Sequence, residues 1–172
     1  MNAPGLIDSL ERFAGILPAV VCDVARDDAR WRPADGAWSI LEVVTHLADE
    51  EVEDSRTRLE RTLRAPTEPW PPNEPEAWAV ERGYNEGDLN EVRARFISQR
   101  RASVEWLHGL EAPDWSKVYH RPRWGPIRAG DILVSWAAHD ALHLRQIAKR
   151  MFQMAQRDGG EYKTDYAGDW TA

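Results

Sequence analysis

His139 and His143 stand four residues apart in the stretch Trp136-Ala-Ala-His-Asp-Ala-Leu-His-Leu-Arg-Gln-Ile147, whose apolar members recur every three or four positions. On a helix that spacing puts two imidazoles on one face with their Cβ atoms roughly 5 to 6 Å apart, so that both rings can reach one cation at about 2.0 to 2.1 Å. The same face carries Ile132, Trp136 and Ile147, which turns it toward a helical interior, where an imidazole without a partner is costly. A third histidine, His46, follows Val43 and precedes Leu47 in another stretch of the same kind. It lies about 10 Å beyond a helix start at Ser39, while the other two lie about 13 to 20 Å beyond theirs, so all three fall near mid-helix. Three interior imidazoles at one level make a three-nitrogen site with a fourth position left for water or substrate. A histidine pair at this spacing also suits a solvated surface or a core that satisfies both rings internally, and that reading stands beside the first.

Other side chains around the histidines have chemistry to offer. Glu50 is one turn beyond His46, where a carboxylate can take a proton from a metal-bound water or orient a ligand's second nitrogen; it can equally face solvent or Arg58 in the acidic run Asp49 to Asp54. Asp140 adjoins His139 but is rotated about 100° from it, which suits a supporting role or a partner on a neighbouring helix. Arg145 suits an anionic group or an exposed ion pair, and Gln146 sits three past His143. His108, at the end of a helix, and His120, in the loop Tyr119-His-Arg-Pro-Arg-Trp124, are left out of the ligand set. Trp78, Tyr84 and Trp124 are candidates for pocket walls or for packing at the bundle ends. Cys22, beside Asp23 and with no second cysteine in the chain, is expected to fill core space and to be no nucleophile.

Four helical segments must carry these groups. Leu6, Leu10, Phe13, Leu17, Val20 and Val24 share a face, with a kink or break expected near Leu17 because Pro18 lacks an N–H and crowds Ala14. The second segment opens on the capping box Ser39-Ile-Leu-Glu42 and ends before Pro66. The third opens at Asp88-Leu89-Asn90-Glu91, turns Leu89, Val92, Phe96, Ser103, Trp106 and Leu110 inward and stops before Pro113. The fourth runs from Gly130 or Asp131 to Met154. No stretch shows a two-residue period, so the expectation is all-α: an antiparallel four-helix bundle with two long connections, residues 64–87 and 111–129. The first connection holds five prolines, and both are rich in aromatic residues, as expected of loops that cover something. The division is a bundle domain over 1–156 and a polar tail over 157–172.

Composition narrows the partners. A chain of 172 residues buries a sizeable core without disulfides or a structural metal. Its 22 basic against 29 acidic residues, a net charge of −7, oppose attraction to phosphate backbones and anionic lipid. Neither a nucleic acid nor a membrane is an expected partner, there is no run of eighteen apolar residues, and the N-terminus has no secretory pattern. A cytoplasmic protein is the expectation, consistent with a single cysteine.

The order of motifs, Trp38-Ser39 into Glu42-Val-Val-Thr-His46-Leu47 and then His139-Asp-Ala-Leu-His143-Leu-Arg-Gln146-Ile147, resembles the DinB-like superfamily of metal-binding four-helix bundles, which includes YfiT-type proteins. The resemblance spans essentially the whole chain in element order. It implies His46, His139 and His143 as the ligands of a divalent ion, Zn or Ni foremost, and a homodimer. Branches of that superfamily use low-molecular-weight thiols, as bacillithiol S-transferases and mycothiol-dependent maleylpyruvate isomerases. Some of the isomerases carry Glu at the position of His139, so this chain departs from them there, and a third neutral imidazole leaves the ion its full double charge. The functional expectation is a metal-dependent thiol S-transferase or hydrolase acting on a small electrophile, with Glu50 as general base. The alternative is a non-catalytic, stress-associated binding protein whose metal site is closed by a fourth protein ligand.

Overall fold

The computed structural model describes residues 1–122 and 125–170. Helix α1 spans Ala3–Val21, α2 Arg26–Arg30, α3 Ile40–Glu50, α4 Thr57–Arg64, α5 Pro75–Glu81, α6 Leu89–His108 and α7 Ala129–Gly159. Between α3 and α4 the chain continues through a π-helical turn, Glu51–Arg56, so α3, the turn and α4 form one rod. This rod, α1, α6 and α7 make a four-helix bundle, as the periodicity predicts.

The caps are where the sequence puts them. Ser39 Oγ accepts from the Glu42 N–H at 3.1 Å and Glu42 Oε2 accepts from the Ser39 N–H at 2.9 Å, closing the capping box. Asp88 accepts from the Asn90 and Glu91 N–H groups at the start of α6. Pro18 does not break α1 near Leu17: the helix continues to Val21, because only one internal bond is lost and the last turn is held by buried Leu17 and Val21. At the other end of the chain, α7 runs past Met154 to Gly159 and stops at Gly160, whose φ of +58° suits glycine.

The two long connections are more ordered than expected. Within 64–87, Pro75 starts α5 at a position where a missing N–H costs nothing. Within 111–129, β1 (Val118–Arg121) and β2 (Gly125–Arg128) pair antiparallel, with Tyr119 opposite Ile127. Strands of four residues, one containing Pro126, show too little alternation to be read from sequence. The hairpin has a use: Tyr119 is buried, stacks on Trp70 at 4.3 Å and accepts the Trp70 N–H through its hydroxyl at 3.1 Å, which ties one long connection to the other.

Two apolar clusters fill the bundle. One joins Phe13, Leu17, Leu41, Val44, Phe96 and Ile147; the other joins Ile7, Leu10, Leu59, Val104, Leu133 and Trp136. Along α3–α4 and along α6 the first cluster comes first, and along α1 and α7 it comes last. The rod and α6 therefore run parallel, α7 and α1 run against them, and the connection 65–88 carries the chain back along the bundle. The antiparallel relation expected of the bundle is carried by the α1–α6 and α3–α7 pairs, while α3–α6 and α1–α7 are parallel neighbours. Between the clusters, at mid-bundle, lies a buried polar layer: His46, Asp49, Glu50, Glu51, Arg100, Asp140 and His143. Cys22 is exposed at the end of α1 and fills no core space, since the helix ends before it could turn inward.

Candidate metal centre

The polar layer brings together the three histidines singled out by spacing. His46 comes from α3, and His139 and His143 come from successive turns of α7. The His139 and His143 Nε2 atoms are 2.9 Å apart, the His46 ring lies 4.7 Å from that of His143 and 5.5 Å from that of His139, and one nitrogen of each lies within 4.8 Å of the other two. His46 is backed by the Trp38 ring at 4.9 Å, so the Trp-Ser pair before α3 supplies both a wall and a cap.

The protonation states suit cation binding. Burial first, then the neighbouring His143 and His139, hold His46 down to about 3. Burial, His143 and Arg100 hold His139 down to about 4, and burial also lowers His143, opposed by Gln146. Three imidazoles are thus neutral near pH 7, the form that ligates. Gln146 Oε1 lies 2.8 Å from His143 Nδ1, and because a carbonyl oxygen only accepts, that nitrogen carries the proton and Nε2 keeps its lone pair toward His139. A buried His46 Nδ1 with no hydrogen-bond partner among the described residues, beside two Nε2 atoms 2.9 Å apart that can each turn a lone pair to one ion, marks a donor set that a divalent ion would satisfy. The residues fit the ion.

Glu50 belongs to the same site. Its Oε2 is 3.5 Å from His139 Nε2 and its Oε1 is 3.9 Å from His46 Nδ1. It does not face solvent: it is buried, Oε1 accepts from Asn73 Nδ2 at 2.8 Å, and Arg58, which pairs with Asp54, acts on it as a nearby charge. Burial pushes its carboxyl up to about 7, against the opposing pull of Asn73. Beyond Glu50 and His139 opens a cavity of about 230 Å³ whose apolar walls are Trp70, Ile127, Ile132 and Trp136, with Arg58 and Arg121 also lining it. The π turn contributes Asp54 and Ser55 to the same wall. Both long connections therefore reach the site, as expected of covering loops.

Asp140 turns away from the histidines and is the partner of a neighbouring helix, taking both ends of the Arg100 guanidinium at 2.6 and 2.8 Å. Arg145, His108 and His120 are exposed. Trp78 and Tyr84 do not line the cavity: Trp78 lies 4.0 Å under Arg82 and Tyr84 donates to Asp49 at 2.7 Å. Trp124 lies outside the described residues. Sequence reasoning missed Trp70 and Asn73, which a proline-rich connection places, and Arg100, which is 1% exposed. A signal for Arg100 did exist: it occupies an inward position between Phe96 and Val104, where the apolar stripe of α6 has a gap.

The sequence model of the DinB superfamily matches residues 9–147, and the chain belongs to that superfamily. Among solved structures it is similar to YfiT from Bacillus subtilis, described as "a probable metal-dependent hydrolase with an unusual four-helix bundle topology". The TM-score is 0.80 at 21% identity, over 89% of this chain and 87% of that one, which is a likeness of fold. A search of curated proteins found no match. Among the described residues no helix is long and apolar enough to cross a membrane.

Proposed function

We propose that His46, His139 and His143 hold one divalent cation, Zn or Ni, and that the protein is a metal-dependent hydrolase or thiol S-transferase acting on a small electrophile. One observation carries this reading: three neutral, inward imidazoles meet a buried carboxyl with a pKa near 7 at the inner end of a cavity. Bound there, the ion supplies Lewis-acid chemistry that brings a water or a thiol toward ionisation near neutral pH.

The chain supplies the rest. Gln146 fixes the His143 ring in the tautomer that leaves Nε2 free. Glu50 takes the proton of the nucleophile at Oε2, the oxygen turned toward His139, while Asn73 holds Oε1. Trp70, Ile127, Ile132 and Trp136 exclude water and hold the apolar body of the substrate. A cavity of about 230 Å³ suits a small molecule, since an engineered void of roughly 150 Å³ holds a benzene ring. The donor set that converges is three histidines without Glu50, which favours an open fourth position and catalysis over a closed structural site.

The test is elemental analysis of protein purified without added metal or a chelating column. About one equivalent of a divalent transition metal per chain in the wild type and almost none in His143→Ala is the expected result. Wild-type protein without metal, or His143→Ala with an unchanged content, overturns the reading. In a screen of ester, amide and thiol-acceptor substrates, Glu50→Gln keeps the metal and loses turnover.

A further inference from the structure

A second buried cluster lies in the polar layer, against the histidines but not part of them. Arg100 of α6 is 1% exposed. Its Nη1 and Nη2 donate to the two Asp140 oxygens at 2.6 and 2.8 Å, its Nε donates to Glu51 Oε2 at 2.9 Å, and Nη1 also reaches the Leu10 carbonyl of α1 at 3.2 Å. Trp136 Nε1 donates to the same Glu51 oxygen at 3.1 Å. The rings of Phe13, Phe96 and Trp136 surround the guanidinium at 5.7, 5.0 and 5.8 Å. All four bundle helices contribute, and all three nitrogens of the guanidinium are hydrogen-bonded.

The sequence neighbours of its two carboxylates are the important feature. Asp140 follows His139, and Glu51 follows Glu50. Successive side chains on a helix point about 100° apart, so the rotation of α7 that aims Asp140 at α6 is also the rotation that aims His139 at α3. Glu51 begins the π turn, and its inward pose fixes where the rod carries Glu50. A planar guanidinium fork bonded to two carboxylates is satisfied at one relative orientation of its partners, unlike a point charge or an apolar contact. Buried ion groups add little net stability compared with apolar residues of similar volume, which leaves orientation as what this one contributes.

We propose that Arg100 is a positioning residue for the metal centre: by binding Asp140 and Glu51 it sets the rotation of α7 and of the π turn, and so the aim of His139 and Glu50 at the ion. This rests on the three-histidine reading above.

The test uses the full chain, stripped of metal and titrated with Co²⁺, whose d–d absorption reports ligand geometry. Because Arg100→Met alone leaves two carboxylates buried without their partner, the triple variant Arg100→Met, Glu51→Gln, Asp140→Leu is compared with it. The expected result is that the triple variant folds with a wild-type circular dichroism spectrum but binds Co²⁺ about tenfold or more weakly, with an altered d–d spectrum. Asp140→Asn, which keeps shape and the Glu51 contact, shows the same change in smaller degree. Wild-type Co²⁺ affinity and spectrum in either variant overturn the proposal. Wild-type protein that binds no Co²⁺ refutes the metal reading itself, and the role of Arg100 falls with it.

Discussion

Two polar clusters share the middle of this bundle and differ in how their atoms are matched. Around Arg100, a guanidinium donates to two carboxylates and a carbonyl, the Trp136 indole N–H donates to one of those carboxylates, and three aromatic rings surround the charge. Burial alone would lower the Arg100 pKa, but the bonds to Asp140 and Glu51 outweigh it and hold the side chain charged. Around His46 the opposite holds: two Nε2 atoms face each other, His46 Nδ1 has no partner among the described residues, and a cavity opens alongside. A buried polar group without a partner costs free energy that a matched one does not. The better matched cluster, in which Glu51 Oε1 alone of the Arg100, Asp140 and Glu51 side-chain polar atoms lacks a partner, is part of the scaffold, and the one that opens on a cavity is where a ligand is expected, although both lie in one layer at similar depth.

The largest effect that would break this contrast is on the matched side. Arg100→Met strands two buried carboxylates, so urea unfolding of the metal-free protein should show a loss of about 3–5 kcal/mol. A loss below about 1 kcal/mol would mean that the charges are not held as described. On the mismatched side, metal-free wild-type protein should gain roughly 2.7 kcal/mol when Zn²⁺ is raised to about one hundred times its dissociation constant. His143→Ala should gain none, and an equal gain in both would place the ion elsewhere.

Comparable in size, but dependent on pH, is the effect of Glu50. Its folded pKa of about 7 stands above the ordinary value of 4.5, so the folded metal-free protein binds a proton that the unfolded chain releases. The stability due to that proton is present below the unfolded value and is lost as pH rises through 7. Glu50→Gln cannot lose it. Relative to wild type, the variant should become more stable by about 3 kcal/mol between pH 4 and pH 8, measured on metal-free samples, and a flat difference would show the carboxyl to be ordinary. Smallest of all, Arg64→Ala removes an exposed ion pair with Glu60 one turn away in α4 and should cost about 0.3–0.5 kcal/mol. A cost like that of Arg100→Met would remove burial as the variable that separates the clusters.

Residue spacing was enough to read the three histidines, the Ser39–Glu42 cap, Glu50 beside His46 and Asp140 as a partner for another helix, because each follows from the 3.6-residue turn. The hairpin of Val118–Arg128 and the short helix Pro75–Glu81 were not legible: neither is long enough to show a period, and both are held by contacts between loops, such as Tyr119 on Trp70. Cys22 misled because an apolar residue type was read as inward, one position past the end of its helix.

What the amino-acid order determined by itself was the set of helices and the face each one buries, since both are properties of a single segment and its local hydrogen bonds. Which helices run parallel, how Arg100 reaches Asp140 forty residues away and how Asn73 comes to hold Glu50 were decided only in the folded chain. Those contacts depend on the packing of segments that share no local bonds, and a pattern within any one segment carries no record of its neighbour.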